Sequence, residues 1–171
     1  MDTISASSDL SLRDASAADA PALASIYNHY VLTTAISFEE DPVAAAAMAG
    51  RITELQADGL PWLVAERGGI IIGYAYASKW RVRPAYRFAV ETSVYVAAAA
   101  VGGGAGKALY RALLARLRER GFHLAIAGIA LPNDASIALH ERFNFEKTAH
   151  FKEVGFKFGQ WRDVGYWQLL L

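Results

Sequence analysis

The feature that most constrains this chain is a glycine-rich segment between a strand and a helix. Residues 101–107 read Val-Gly-Gly-Gly-Ala-Gly-Lys. Before them, residues 88–96 are rich in Val, Thr and Tyr, which is typical of a strand. After them, Leu109, Leu113 and Leu117 recur at helical spacing. A strand, a glycine loop and a helix in this order predict a mixed α/β fold.

The glycine loop has the features of an anion site. Glycines let a backbone approach a ligand closely, and the first turn of the following helix leaves N–H groups unpaired. A phosphate or pyrophosphate fits such a site, although a plain turn shows the same pattern. A P-loop would need Ser or Thr after Lys107, where Ala108 stands. A dinucleotide fingerprint would need an acidic residue about 20 residues on, where Phe122 and His123 stand.

The rest of the chain alternates between helical and strand-like patterns. Ser16 and Asp19 fit a capping box before the first helix, and Asp41-Pro42 marks the start of a second. Arg67-Gly68-Gly69 predicts a tight turn between two strands. In chain order, we predict a strand (10–13), two helices (17–31 and 42–57), three strands (62–66, 70–80 and 88–96), the helix from the glycine loop to Gly121, a strand (124–130), a short helix from Pro132-Asn133-Asp134 to Arg142, and two strands (147–153 and 161–170).

Composition excludes several classes of protein. The chain has 171 residues, 54% of them hydrophobic, which is enough for one domain with a core. Its 17 Lys and Arg balance 17 Asp and Glu, whereas a nucleic-acid or anionic-membrane binder needs a basic excess. There are no cysteines, which removes disulfides, thiolate zinc sites and an acyl-cysteine intermediate. We therefore predict no nucleic-acid partner and no membrane partner.

The first residues lack the pattern of a leader. Residues 1–9 are small and polar, without the basic and apolar regions of a signal peptide. No apolar run approaches the ~18 residues of a membrane span. We predict a disordered tail at 1–9, one domain at 10–171 and a cytoplasmic location.

Four stretches carry a resemblance to a known family, and their order and spacing make the match specific. They are Ile26–Asn28 with Thr33–Phe38, Arg83–Tyr86 with Val90–Val96, Leu131–Ser136 with Leu139–Glu141, and Gly155–Gly159 with Trp161–Leu169. On these residues the chain resembles the GNAT acetyltransferase superfamily. Within it, the chain is similar to the phosphinothricin and methionine sulfoximine N-acetyltransferases.

The resemblance implies a fold, a coenzyme and its binding residues. The implied fold is α/β (α+β), with a mixed, mostly antiparallel sheet of about seven strands flanked by about four helices. Two splayed strands would hold acetyl-CoA, the co-substrate, without any metal. The implied acetyl-CoA residues are Val94, Tyr95, Val96, Gly102, Gly103, Gly104, Ala105, Gly106, Lys107, Asn133 and Ser136. Because family members are often homodimers, we expect a homodimer.

The glycine loop departs from the family pattern. The family's loop usually begins with Arg or Gln and carries further basic or polar side chains, whereas this loop begins with Val101 after Ala97–Ala100. The backbone nest remains, but the loss of an Arg–phosphate pair should weaken binding of the coenzyme. Three explanations fit this run of Ala and Gly. It is a natural variant, an engineered loop, or a stretch in which residues of unknown identity have been recorded as Ala and Gly.

Acetyl transfer to an amine needs a base, because an ammonium with a pKa near 10 is not a nucleophile. The resemblance makes Glu91 the candidate base, although its position alone is typical of a surface residue. Strand alternation places Glu91, Ser93 and Tyr95 on one face, and a main-chain N–H near Tyr95 would polarise the thioester carbonyl. His140 is a second acid–base candidate, with a structural role as the alternative. Tyr110 could serve the leaving thiolate, but the pattern favours a core or surface tyrosine.

The candidate substrate residues come from the same resemblance. Arg83 and Tyr86 match positions that hold the substrate's carboxylate and acidic head, and Arg suits a planar carboxylate or a phosphinate-like group. A solvated basic edge is the alternative for the arginines of this segment. The remaining implied walls of the substrate pocket are Phe38, Tyr76, Arg81 and Val164.

The predicted reaction is direct acetyl transfer from acetyl-CoA to the amine of a small amino-acid-like substrate in a ternary complex. Another small amine or a protein N-terminus is an alternative acceptor, and a catalytically silent acyl-CoA-binding domain is an alternative function. His29, His123 and His150 are widely spaced, without an H-E-x-x-H motif, so we expect no metal. G-x-S-x-G is absent, which disfavours a serine hydrolase.

Overall fold

The computed structural model describes residues 10–171, so the predicted tail at 1–9 lies outside the described residues. Strands and helices follow one another in the predicted order. The strands are β1 (Leu10–Asp14), β2 (Trp62–Arg67), β3 (Ile70–Lys79), β4 (Ala89–Val96), β5 (Leu124–Ala130), β6 (Glu146–Lys157) and β7 (Gln160–Leu170). The helices are α1 (Ala20–Thr33), α2 (Ala45–Ala57), α3 (Ala105–Glu119) and α4 (Asp134–Arg142).

The strands form one sheet in the order β1-β2-β3-β4-β5-β7-β6. Every neighbouring pair is antiparallel except β4 and β5, which are parallel. A parallel pair needs a crossover connection, and α3 provides it. This topology confirms the expected mixed, mostly antiparallel sheet.

Different helices cover the two faces of the sheet. Leu109 and Leu117 of α3 are fully buried on one face, and Leu23 of α1 and Ile52 of α2 are fully buried on the other. Because β2 lies between both layers, residues 62–65 are all buried. The strand therefore reads as a continuous apolar run, as expected for a strand covered on both faces. No helix of the described residues is long and apolar enough to cross a membrane.

The start of α2 differs from the prediction. The helix begins at Ala45 rather than at Asp41-Pro42. The side chain of Asn28 bonds to both main-chain groups of Val43, donating to its carbonyl at 2.9 Å and accepting from its N–H at 2.8 Å. These two bonds hold the segment outside the helix, so the cap and the proline do not begin it.

The end of β6 also differs from the prediction, which placed it at Glu153. The strand continues to Lys157. Between Phe151 and Gly155 the register with β7 shifts, and Glu153 takes a φ of 51°. The predicted end therefore marks a bulge, after which pairing resumes.

Candidate active site

The strands β4 and β5 pair over only part of their length. Ala89 to Glu91 lie opposite Leu124 to Ile126, and the pairing ends there. Beyond this point the strands continue to Val96 and Ala130, so a gap opens between them. This is the splay that the resemblance implies, and it begins at Glu91.

Main-chain groups of β4 face this gap. Ala97 N donates to Ile72 O at 2.8 Å, which sets the alternation of hydrogen bonds between β3 and β4. Along an antiparallel strand, successive residues direct their main-chain groups to opposite sides. Tyr95 therefore bonds to β3, whereas Val94 and Val96 direct their N–H groups towards the gap. The segment predicted to hold the coenzyme arm thus offers two N–H groups that β3 does not use.

A cleft of about 580 Å³ lies beside the gap. Glu91, Ser93 and Tyr95 line it from β4, in agreement with the predicted alternation. Val164 and Tyr166 line it from β7. The cleft therefore joins two carboxylates, three tyrosine rings and apolar walls, which suits a small polar ligand.

The Glu91 carboxylate lies over Gly128 of β5. A Cβ added at Gly128 would be 3.1 Å from Glu91 Oε1 and 3.0 Å from the ring of Tyr166, so glycine leaves the space that both side chains occupy. Burial raises the pKa of Glu91 above its ordinary value, and the positive charge of Arg81 partly offsets this. Within residues 10–171 the carboxylate receives no side-chain or main-chain hydrogen bond that would lower its pKa. A raised carboxyl pKa and free oxygens suit a general base.

The loop after α1 is tied to β6 by a buried lysine. Lys157 Nζ donates to the carbonyl oxygens of Val31, Ser37 and Glu39, each at 2.7 Å. Lys157 is 2% exposed, and burial lowers the pKa of its ammonium. Because Ser37 and Glu39 line the cleft, the lysine positions one of its walls. The sequence analysis did not identify Lys157, since its three partners are distant in the chain.

A second set of hydrogen bonds steadies the same loop. The hydroxyls of Tyr27 and Ser37 are 2.8 Å apart, and Tyr27 also donates to Glu39 at 3.1 Å. Arg51 pairs with Glu39 at 2.8 Å. The sequence analysis did not predict this cluster either, although Tyr27 and Ser37 lie within the stretches that carry the resemblance.

The glycine loop lies at the far end of β4. A 3-10 turn at Ala98–Ala100 leads into it, and α3 begins at Ala105. Gly102 and Gly104 have φ values of 84° and 83°, a left-handed conformation that glycine adopts without steric cost. The loop thus delivers the chain into the first turn of α3, whose N–H groups have no partner within the helix. This geometry fits the nest predicted for a pyrophosphate.

The predicted coenzyme contacts on α4 have structural bonds of their own. Asn133 Oδ1 accepts from Ser136 N at 3.1 Å and so caps α4. Its amide nitrogen is not used in this cap. The roles of Asn133 and Ser136 towards the coenzyme stay predictions.

The structure places His140 in the core and not in the lining of the cleft. His140 is 3% exposed and packs edge-on against Tyr110 and Phe145. Its Nδ1 lies 2.7 Å from the Ser136 carbonyl, and burial lowers the pKa of the ring. Within residues 10–171, Nε2 is buried without a hydrogen-bond partner. The predicted acid–base role of His140 stays a prediction.

Tyr110 is a core residue, as the sequence pattern favours. Its hydroxyl lies 2.6 Å from Thr92 Oγ1, and Thr92 donates to Ile126 O at 3.2 Å. Because Thr92 has a single proton, Tyr110 must donate its own to Thr92. Burial raises the pKa of Tyr110 well above its ordinary value. The hydroxyl proton of Tyr110 is therefore held in a hydrogen bond within the core.

The four predicted walls of the substrate pocket line three different cavities. Phe38 and Val164 line the cleft with Glu91. Tyr76 lines a smaller pocket of about 180 Å³ and stacks on Trp62, with 4.3 Å between ring centroids. The structure therefore brings Phe38 and Val164 to Glu91 and places Tyr76 in the neighbouring aromatic cluster.

The predicted carboxylate clamp lies on the segment between β3 and β4. Arg81, Arg83 and Tyr86 line a separate pocket of about 260 Å³. Arg81 stacks on Trp80 at 4.1 Å from the ring centroid, and its charge reaches Glu91. Arg83 and Tyr86 lie outside the lining of the cleft, and their substrate-binding role stays a prediction.

Tyr166 is a site residue that the sequence analysis missed. Its ring lies beside Glu91 across Gly128, and burial raises the pKa of its hydroxyl. The signal for it is the alternation of β7, which puts Tyr166 on the same face as Val164. Among residues 10–171, no group of three or more His, Cys, Asp or Glu side chains is arranged to hold a metal.

Comparisons with known proteins agree with this geometry. The family model for an acetyltransferase (GNAT) domain matches residues 12–165. A phosphinothricin N-acetyltransferase of Streptomyces viridochromogenes is 40% identical over 157 residues, or 92% of this chain and 85% of that protein. An L-methionine sulfoximine/L-methionine sulfone acetyltransferase of Salmonella typhimurium is 40% identical over 95% of each chain. The crystal structure of a Sinorhizobium meliloti phosphinothricin acetyltransferase in complex with acetyl-CoA is similar, with a TM-score of 0.92, 43% identity, and coverage of 95% of this chain and 88% of that chain.

Proposed function

Because the chain belongs to the GNAT acetyltransferase family, we propose that it transfers acetyl from acetyl-CoA to the primary amine of a small amino-acid-like substrate. We further infer that residues 10–171 form one acetyltransferase domain. The observation that carries the proposal is the splay that opens at Glu91. The proposal is supported by Glu91 at the start of the splay, by main-chain N–H groups of Val94 and Val96 that β3 does not use, and by the glycine loop that follows β4.

We propose that β4, the glycine loop that follows it and the start of α3 bind acetyl-CoA together. The glycine loop and the first turn of α3 would hold the pyrophosphate. Val94 and Val96 would bind the pantetheine arm and the thioester oxygen through their N–H groups. This oxygen gains negative charge as the amine attacks, so a fixed N–H donor lowers the barrier.

Glu91 completes the reaction as the base. Its carboxylate takes a proton from the substrate ammonium, directly or through a water, and the amine nitrogen then attacks the thioester carbon. As the C–N bond forms, the nitrogen releases its second proton, the C–S bond breaks, and the sulfur leaves as a thiolate that needs a proton. The ring of Tyr166 lies beside Glu91 across Gly128, and we propose Tyr166 as the residue that protonates the sulfur, its hydroxyl being restored by the proton that the nitrogen releases.

The relatives support an amino-acid-like acceptor. They include acetyltransferases named for phosphinothricin and for L-methionine sulfoximine. The cleft of about 580 Å³ has the volume for such a compound beside Glu91. Acetylation removes the positive charge of the amine, so resistance to inhibitors of this kind is the expected cellular effect.

We also propose a homodimer with a cytoplasmic location, where acetyl-CoA is consumed. The hairpin of β6 and β7 supports the dimer, because it exposes several large apolar side chains. These are Phe151, Val154, Phe156, Phe158 and Trp161, between 51% and 62% exposed. Several large apolar side chains exposed on one hairpin are typical of a surface that contacts another protein. Sedimentation equilibrium of the wild type and of Trp161→Ser tests the proposed homodimer. We expect a dimeric wild type and a weaker dimer in the variant, and a monomeric wild type would contradict the proposal.

The direct test combines acetyl transfer with coenzyme binding. The chain has no cysteines, so a thiol reagent reports only the CoA that the reaction releases. We expect CoA release with phosphinothricin or methionine sulfoximine, and little with a peptide N-terminus. Calorimetric titration of CoA on the same sample separates the alternatives. Binding without turnover would support a silent acyl-CoA-binding domain. The absence of both binding and turnover would show that the altered loop does not function.

A further inference from the structure

An arginine from a different element lies against the glycine loop. Arg67 ends β2, at the turn before β3, and its guanidinium donates to Gly103 O at 3.1 Å. A Cβ added at Gly103 would be 3.3 and 3.4 Å from the two terminal guanidinium nitrogens. The end of β2 is thus packed on the loop that is proposed to hold the pyrophosphate.

The loop itself supplies no charge at this point. From Ala97 to Gly106 every side chain is uncharged, and Lys107 is the first cation of the segment. Main-chain N–H groups and the helix dipole together act as only about half a positive charge. A pyrophosphate has at least two negative charges, so a further cation at the loop would add substantially to its binding.

Arg67 has the bonding capacity to act as that cation. A guanidinium has five N–H donors, and the contact with Gly103 uses one of them. Among residues 10–171, no carboxylate lies within ion-pair distance of Arg67, whereas the neighbouring Glu66 pairs with Arg13 at 2.6 Å. The charge of Arg67 is therefore available to an anion at the loop.

The same contact orients the loop backbone. In a trans peptide the C=O and the following N–H point in opposite directions. A bond from Arg67 to Gly103 O therefore fixes the direction of the Gly104 N–H, in the residue whose φ of 83° turns the chain into α3. Arg67 therefore adds a positive charge beside the loop and fixes the orientation of the peptide between Gly103 and Gly104.

We propose that Arg67 is the cationic side chain of the coenzyme phosphate site, acting from β2 in place of the charged residue that the loop lacks. This inference rests on the proposed function, because it assumes that CoA binds at the loop. The ligand chemistry is a phosphate group of CoA, either in the pyrophosphate or on the 3′ position of the ribose.

The test measures binding by calorimetry and does not depend on activity. We expect Arg67→Ala to raise the Kd of CoA about tenfold, the loss of one charge-assisted contact. Arg67→Gln can still donate to Gly103 O but has no charge, so it should bind CoA as weakly as Arg67→Ala. The matched control is Arg118→Ala, which removes the same charge from an exposed site in the last turn of α3.

Two further arms identify the phosphate and the mechanism. If the loss persists with 3′-dephospho-CoA, Arg67 faces the pyrophosphate; if it disappears, Arg67 faces the 3′-phosphate. The Kd of the wild type should also depend more steeply on salt than that of Arg67→Ala, because one ion pair is missing in the variant. Wild-type affinity for CoA in Arg67→Ala or in Arg67→Gln would overturn the proposal. A wild type that binds no CoA would overturn the proposed function as well.

Discussion

The two ends of β4 carry the two halves of the site, and they are built differently. At the Glu91 end the chemistry depends on side chains: a half-buried carboxylate, the ring of Tyr166 and a loop held by Lys157. At the other end it depends mainly on main chain, through the N–H group of Val96 and the left-handed conformation of Gly104, with the side chain of Arg67 packed on the loop. A side-chain site should fail when one functional group is removed, whereas a main-chain site should fail when backbone conformation changes.

The largest expected effect is at Glu91, the proposed base. Glu91→Gln keeps the shape of the side chain and removes its basicity, so turnover should fall about 10²-fold or more. The Kd of acetyl-CoA should stay unchanged, because the proposed phosphate site of the coenzyme lies at the other end of β4. Steady-state kinetics and calorimetry on the same preparation measure both quantities.

The control for this change is Glu146→Gln, an exposed glutamate at the start of β6. It should leave turnover and coenzyme affinity at wild-type values. If Glu91→Gln turned over as fast as the wild type, the carboxylate would lose its assignment as the base.

The second prediction concerns the lysine that holds the cleft wall. Lys157→Met leaves the carbonyls of Val31, Ser37 and Glu39 without their donor, so the free energy of unfolding should fall by about 2–3 kcal/mol. The KM of the amine should rise, since the loop lines the cleft. Chemical denaturation and kinetics measure the two effects.

Lys152→Met, an exposed change on the same strand, is the matched control and should change neither value. Equal stability of Lys157→Met and the wild type would mean that the buried ammonium does not hold the loop. The loop that lines the cleft would then not depend on the hydrogen bonds from Lys157 for its position.

The third prediction tests the main-chain end. A Cβ at Gly104 meets nothing within 4 Å, so Gly104→Ala acts through its φ of 83° alone. A left-handed conformation costs an alanine about 1–2 kcal/mol, and the Kd of CoA should rise up to roughly tenfold as the loop relaxes. Calorimetry measures this change.

Gly50 provides the matched control. It lies within α2, also meets nothing within 4 Å and does not have a positive φ. Gly50→Ala should therefore stabilise the fold by about 0.5–1 kcal/mol and leave CoA binding unchanged. If both variants bound CoA as the wild type does, the conformation of the loop would not determine coenzyme affinity.

The smallest expected effect concerns the segment between β3 and β4. If Arg83 binds the acidic head of the substrate, Arg83→Ala should raise the KM of phosphinothricin about two- to fivefold more than that of a neutral amine, the value of an exposed ion pair. Arg87→Ala is the control on the same segment. An equal change in KM for both substrates would mean that Arg83 does not bind the acidic head. The side-chain end of the site would then consist of the cleft around Glu91 alone.

Sequence reasoning was most successful where the pattern is local. The glycine loop and the spacing of Leu109 and Leu117 predict a strand, a loop and a helix without any knowledge of distant contacts. The resemblance adds the splay, and the structure places it at Glu91. The start of α2 could not be predicted, because it depends on a hydrogen bond between Asn28 and Val43 across a loop.

The site residues that were missed depend on contacts between distant segments. Lys157 lies 118 to 126 positions from the three carbonyls that it binds, so no periodicity reveals the contact. Tyr166 becomes a neighbour of Glu91 only after β7 pairs with β5 and Gly128 leaves a space. Such residues follow from the tertiary fold and not from the pattern of one element.

The most direct test is the pH dependence of kcat/KM for the amine, measured for the wild type and for Glu91→Gln. Because burial raises the pKa of Glu91, the wild type should lose its base as the pH falls through a value above that of an ordinary glutamate. Below that value its log kcat/KM should fall more steeply than that of Glu91→Gln by about one log unit per pH unit, since only the protonation of the substrate amine remains in the variant. Profiles of the same slope in both proteins would contradict the assignment of Glu91 as the base.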